Sequence, residues 1–289
     1  MLRTLLIGAL AVVAGSATAA AQGRPCGPVD HARAIHQAWL KKTPVASPGR
    51  ELGMEEAVCQ QRRLVQLMSQ TLGPRAGYKV GLTSQAAQQA LGVSTPVVGV
   101  MLQKMFLESG ARIRTQYAAR PIVEADLVVV VGDGAINEAK TPSEVARHLR
   151  ALHPFIELPD LVVAEGQPLT GAVVVAIDVG ARLGVLGKPV KMRSDPEFVD
   201  ALAKMMVKLS DDQGRELSAA PGAAILGHPL NAVMVLAEEL KRRGERLKPG
   251  DRISLGSFGR PVPPPRGRTL TASYAGLPTG PMSVSVTFR

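Results

Sequence analysis

Glu124 and Asp126 stand two residues apart in Arg120-Pro-Ile-Val-Glu-Ala-Asp-Leu-Val-Val-Val-Val131, a run that is otherwise strongly apolar. Alternate residues of a strand project to the same face, so both carboxylates leave one side of a segment whose composition predicts burial. Two unpaired buried anions are costly, and something must offset them. A divalent cation would do so, and so would a partner such as Arg120. A third acid, Glu157, lies in the apolar stretch Phe155-Ile-Glu-Leu158. A strand–helix–strand connection can bring it beside the first two. Three carboxylates completed by water suit Mg²⁺ or Mn²⁺. No Cys/His spacing resembles a zinc site, and His31, His36, His148 and His153 have no ligand spacing.

The surrounding pattern supplies the elements that must position these acids. Helices are predicted over 29–42, with Ile35, Trp39 and Leu40 on one stripe, and over 54–72, with Val58, Leu64, Val65, Leu67 and Leu72. Gly73-Pro74 closes this layer. From Gly77 the pattern turns mostly to strand: Tyr78–Leu82, a small helix over 84–91, then the acidic strand at 121–131 and a Gly132-Asp-Gly134 turn. Thr141-Pro-Ser-Glu144 reads as a capping box opening a helix through Leu152, and Pro154 stops it before the Glu157 strand. Ala172 to Leu186 reads as one or two strands. Ser194-Asp-Pro-Glu197 opens a short helix, and an Asp211-Asp-Gln-Gly214 turn follows a strand. His228-Pro229 opens a helix ending at Gly244, which gives His228 a capping role rather than a catalytic one. Strands close the chain near 252–255, 268–274 and 284–288.

Composition sets the limits. The 289 residues, 46% hydrophobic and 20% charged, can build a sizeable core. Aromatic residues make up 3%, too few for the stacking platforms that bind single-stranded nucleic acid. The net charge of +10 is either a solvated basic surface or a means of attracting acidic metabolites, phosphate or a membrane surface. Arg3, the apolar run Leu5–Ala14 and the small residues Ser16–Ala21 predict a secretory leader over 1–21 and export to the periplasm. Gly8 and Gly15 interrupt that run and no basic stop-transfer flank follows it, so no stable membrane anchor is expected. Cys26 and Cys59 are the only cysteines, and in an exported chain an even count predicts a disulfide between them.

The order of motifs resembles a known family. Gly77-Tyr-Lys-Val-Gly-Leu-Thr-Ser84 resembles the glycine-lysine-glycine segment of the 2-keto-4-pentenoate hydratase family, within the fumarylacetoacetase-like superfamily. Glu124-Ala-Asp126 is similar to its acidic pair and Glu157 to its third acid. Gly227-His-Pro-Leu-Asn-Ala232, Leu247-Lys-Pro-Gly-Asp251 and Gly256-Ser-Phe-Gly-Arg-Pro-Val-Pro263 follow in the same order. The resemblance implies a mixed α/β fold: a helical N-terminal layer (22–76) plus a rolled, mainly β catalytic core (77–289). It implies Mg²⁺ or Mn²⁺ held by Glu124, Asp126 and Glu157. Lys79 would be the catalytic amine beside the cation, its pKa pushed down by it. The implied reaction is hydration of a small anionic, unsaturated 2-oxo acid through an enolate that the cation stabilises. Ser257 and Asp178 would contact substrate. Decarboxylation of an unsaturated oxo-diacid and hydrolysis of an acylpyruvate share that chemistry.

Departures from the family pattern favour a different class of function, a non-catalytic exported protein that binds small acids. Asp126 replaces a glutamate, Leu158-Pro-Asp160 replaces an acid-rich stretch, an asparagine position falls near Asp178, and Gly259 replaces a threonine. In either case a homo-oligomer is expected, because such folds leave strand edges to be covered by neighbours.

Overall fold

A computed structural model describes Cys26 and residues 29–289. The leader expected over 1–21 lies outside the described residues. Two helices open the chain, α1 (Val29–Lys41) and α2 (Met54–Leu72). Their apolar stripes bury Ile35, Leu64 and Met68, and α2 also buries two amides, Gln60 and Gln61. The structure pairs Cys26 with Cys59 as a disulfide, with Cα atoms 5.5 Å apart, which pins the start of the described chain to α2.

The next elements are β1 (Arg75–Gly81), α3 (Gln85–Ala90), β2 (Val97–Leu102), β3 (Phe106–Glu108), β4 (Ala111–Ile113) and β5 (Glu124–Val131). They are followed by α4 (Pro142–Arg147), β6 (Leu149–Leu158), α5 (Gly171–Ala176), β7 (Leu183–Leu186) and β8 (Val190–Lys191). The last third holds α6 (Pro196–Lys204), β9 (Met206–Asp211), β10 (Glu216–Pro221), α7 (Asn231–Arg242), β11 (Arg252–Ser254), β12 (Thr269–Ala275) and β13 (Met282–Phe288).

The strands form two sheets. The larger runs β2-β1-β11-β5-β6-β7-β3, with β8 added beside β6; the smaller runs β10-β9-β12-β13-β4. Alternation along the central strands divides the core in two. Tyr78, Val80, Leu127, Val129 and Ile156 pack toward the smaller sheet, α6 and α7. Val128 and Phe155 belong to the opposite face, under α1, α2 and α5. Lys79, Glu124, Asp126 and Glu157 alternate with the first set, so all four project toward the helical face.

Two elements differ from the sequence expectation. The helix from Thr141 ends at Arg147 rather than Leu152, because Leu149–Leu152 continue β6 and pair with β5. The capping box also closes differently: the Thr141 hydroxyl accepts from Glu144 N, but the Glu144 carboxylate reaches Lys140 N. The valine-rich stretch 173–175, expected as strand, is the helix α5. Thr170 caps its N-terminus, and every residue from Gly171 to Ala176 is buried, so packing against α2 overrides the β preference of valine.

Candidate active site

Sheet register assembles the site. Glu124 and Glu157 are directly opposed across β5 and β6. On the other side of β5 lies β11, whose Ser254 is in register with Lys79 of β1. The four strands thus carry an amine, a hydroxyl and three carboxylates across one sheet face. Lys79, Asp126 and Glu157 are 3%, 0% and 1% exposed.

Lys79 Nζ lies 2.6 Å from Glu157 Oε1, an ion pair almost wholly removed from solvent. Burial by itself lowers the lysine's pKa, but the facing Glu157 and Glu124 carboxylates outweigh it and leave the net shift upward. Without a dication the ammonium form is therefore held, where the sequence reading expected a cation to push the amine down. Glu124 is raised to about 7, first by burial and then by repulsion from Glu157, with Lys79 opposing. Among the described residues neither Arg120, which donates to the Val163 carbonyl, nor another arginine pairs with Glu124, Asp126 or Glu157; Lys79 does.

Asp126 has a different environment from the other two. Its Oδ1 accepts from the amides of Leu127, Leu255 and Gly256, and its Oδ2 accepts from the Ser254 hydroxyl at 2.5 Å. Burial raises its pKa well above normal, with Glu157 adding to the shift and the Ser254 and Leu127 donors opposing it. Being one methylene shorter than glutamate, this carboxylate stays back among the β11 donors and does not line the cavity. Among the described residues no three His, Cys, Asp or Glu side chains converge as a ready-made ligand set. Two acids stand on the cavity wall and the third stands behind them.

That cavity measures about 510 Å³. Lys79, Glu124, Glu157, Thr83 and Ser257 form its polar end, and Leu82, Leu91, Ile122, Leu161, Leu169 and Val179 its apolar walls. Ser257 stands at the wall as expected, its hydroxyl donating to the Gly259 carbonyl. Asp178 does not line it. This buried carboxylate accepts from Gln61 Nε2 and Val100 N, both at 2.8 Å, and burial raises its pKa to about 7. Gln61 in turn accepts from Arg243, so Asp178 ties α2, β2 and α7 together beneath Lys79 instead of meeting substrate.

Other departures have structural causes. Gly259 sits at φ +85°, and a Cβ there would lie 2.3 Å from Ser218 Oγ. A threonine would be strained at this φ and would run into the Ser218 side chain. Asp160 binds the amides of Ala119 and Arg120 and pairs with buried Arg182 at 3.0 Å, fixing the turn behind Glu157. His228 bonds Leu230 N and the Val199 carbonyl, a structural role. Sequence reasoning missed Ser254, Gln61 and Arg182. No motif marks them, and only the register and packing of distant segments bring them to the site.

The residues fit a divalent cation. Three carboxyl groups face one ammonium, so ionising all of them leaves two negative charges for a cation to offset, and no hydrogen bond among the described residues occupies Glu124. Glu124 and Glu157 supply hard oxygen donors at the cavity wall, the preference of Mg²⁺ or Mn²⁺.

Known proteins resemble this chain in sequence and in fold. No family model matches the chain. The chain is 31% identical to the TodF product hydratase of Pseudomonas putida over 78% of both proteins. It is 30% identical to the 2-oxo-hept-4-ene-1,7-dioate hydratase of Escherichia coli, over 78% of this chain and 85% of that one. Among solved structures, the 4-oxalocrotonate decarboxylase of Pseudomonas putida G7, complexed with magnesium and adipate, superposes with a TM-score of 0.79 at 25% identity, covering 90% of this chain and 97% of that one. The fumarylpyruvate hydrolase of Pseudomonas aeruginosa, in complex with Mn²⁺ and pyruvate, shares the fold at 16% identity and a TM-score of 0.53, covering 74% and 90%.

Proposed function

The chain belongs to the 2-keto-4-pentenoate hydratase family, and from that premise we propose that it is a divalent-metal-dependent hydro-lyase that adds water to an unsaturated 2-oxo acid. The observation that carries the reading is the Lys79–Glu157 ion pair beside Glu124, sealed into the polar end of an otherwise apolar cavity.

Glu124 and Glu157 would hold the cation, with Asp126 drawing it from behind. A cation there supplies Lewis-acid stabilisation of negative charge developing on substrate oxygens. The chain's own residues do the rest. The Lys79 ammonium holds a proton at the cavity's polar end, available to a substrate carbon when the conjugated system shifts. Having given that proton to substrate, the neutral Lys79 amine could take one back, with Glu157 beside it to favour the ammonium again. The leucine, isoleucine and valine walls exclude bulk water from the hydrocarbon part of the substrate, so that water enters only at the polar end. Asp126, capped by Ser254 and three amides, fixes the spacing between β5 and β11 on which that geometry depends.

The test is to follow the absorbance of 2-hydroxypenta-2,4-dienoate with purified protein and Mg²⁺ or Mn²⁺. Loss of the diene chromophore that depends on metal is expected. Binding of oxo acids without turnover would instead make the protein an acid-binding relative. A second reading, decarboxylation, is favoured by the likeness to 4-oxalocrotonate decarboxylase. Release of CO₂ from an unsaturated oxo-diacid, with no hydration, would select it. Export is also part of the proposal. Its support is the Cys26–Cys59 pairing, a bond that persists in oxidising compartments. An unprocessed product in the cytosol, read by intact mass, would sink it.

A further inference from the structure

The formal charge of +10 is not spread evenly in its pairing. Arg62, Arg75, Arg182, Arg193, Arg215, Arg242, Arg243, Arg246 and Arg268 each meet a carboxylate. At one end of the smaller sheet the pairing stops. A hollow of about 500 Å³ is lined by Arg114, Gln116, Arg266 and Arg289 alone. A second, of about 350 Å³, shares Arg114 and Arg289 and adds Lys42, Arg112 and Trp39. No acid lines either one, and among the described residues no ion pair or side-chain hydrogen bond engages Lys42, Arg112, Arg114, Arg266 or Arg289.

Sheet geometry creates this concentration. Arg112 and Arg114 flank inward-facing Ile113, so they project from the same side of the β4 edge. Arg289 N bonds the Ile113 carbonyl and Thr115 N bonds the Arg289 carbonyl, which sets Arg289 beside Arg114. Gly267 N bonds the Phe288 carbonyl, bringing Arg266 alongside. Arg182, stacked 4.3 Å over the Trp39 ring and paired with buried Asp160, forms the floor of the second hollow. These bonds hold like charges together in a concave surface, an arrangement that is unfavourable until an anion enters.

We propose that the two adjoining hollows on Arg112, Arg114, Arg266 and Arg289 are a binding site for a molecule carrying two linked phosphate groups. Five cations line them besides Arg182, whose charge Asp160 meets. A phosphate monoester carries about −1.5 to −2 charges near neutral pH and a diester fewer, so the cations here are enough to meet two linked phosphates of either kind. The arginine fork suits phosphate oxygens bidentately, and arginines outnumber lysine here. The concave shape fits compact anionic groups better than a flat acidic protein face. Such groups belong to free diphosphates and to the headgroups of phosphorylated lipids, and the experiment separates the two sources.

The full chain is titrated with inorganic pyrophosphate by calorimetry at low and high salt, and mixed with vesicles of cardiolipin, phosphatidylglycerol or phosphatidylcholine for flotation. Arg114→Gln/Arg266→Gln is the test variant. It removes charge from exposed positions and touches nothing in the catalytic cavity, so turnover of the diene acid stays at the wild-type level. Pyrophosphate binding that weakens about tenfold or more in the variant, and falls with salt, supports a free diphosphate. Flotation with cardiolipin that the variant loses, without pyrophosphate binding, supports a lipid headgroup. Absence of both kinds of binding, or binding that the variant leaves unchanged, overturns the proposal.

Discussion

Lys79→Met separates the two jobs that the lysine holds. Its ammonium is the counter-charge for buried acids, and it is also the proton carrier for the reaction. At 2.6 Å from Glu157 Oε1, an effective dielectric of about 20 gives a Coulomb attraction of roughly 6 kcal/mol. Desolvation of the ammonium cancels part of this, and removing one partner of a buried pair typically costs about 3–5 kcal/mol. The metal-free variant is therefore expected to lose about 3 kcal/mol in urea unfolding, less whatever Glu157 recovers by taking a proton. Saturating Mg²⁺ is expected to restore most of that loss, because the cation takes over the lysine's place among the acids. Removing a positive charge beside the site also makes Mg²⁺ bind at least as tightly as in the wild type. Turnover of 2-hydroxypenta-2,4-dienoate is nevertheless expected to fall about 10²–10⁴-fold. Unfolding in EDTA and in Mg²⁺, metal titration and the absorbance assay are run on the same preparations. A variant that keeps activity within tenfold refutes the proton-carrying role. A variant that loses Mg²⁺ binding along with activity refutes the picture of the lysine as the cation's stand-in.

Four further outcomes follow from the structure. Because Glu124 is raised to about 7, Mg²⁺ affinity is expected to climb as pH rises toward 7 and to level off above it, with proton release in unbuffered titration; Glu124→Gln should abolish the slope. The same shift has a sign for stability: the native carboxyl holds its proton where the unfolded one has lost it, so metal-free protein loses stability between about pH 4.5 and 7, by up to about 3 kcal/mol. Ser254→Ala removes the hydroxyl from buried Asp126 Oδ2 and should cost about 2 kcal/mol in denaturant, with Asp126 pushed still higher; an unchanged midpoint would mean the capsule around Asp126 does not hold the strands. Reducing the Cys26–Cys59 bond, which closes a sequence separation of 33, should lower the unfolding free energy by about 4 kcal/mol on the chain-entropy account; equal unfolding curves with and without reductant would contradict it.

Much of this protein was legible in its sequence. The Glu124-x-Asp126 spacing predicts two acids on one strand face, because strand alternation is a local property. The same holds for α2, whose apolar stripe and Gly73 stop fix both ends, and for the motif order that identifies the family. The tertiary structure decided what happens to those acids. Glu124 and Glu157 meet because β5 and β6 pair antiparallel in one register, and a shift of one residue would put them on opposite faces. Lys79 reaches them from 78 positions before Glu157 only because β11 inserts between β1 and β5. Asp126 and Asp178 read as site residues, yet one is capped by Ser254 and the amides of Leu127, Leu255 and Gly256, and the other accepts from Gln61 and Val100. Nothing in the local sequence distinguishes a carboxylate that faces a cavity from one held by donors elsewhere in the fold. That difference depends on which distant segment supplies its hydrogen bonds, and only the folded chain brings those segments together.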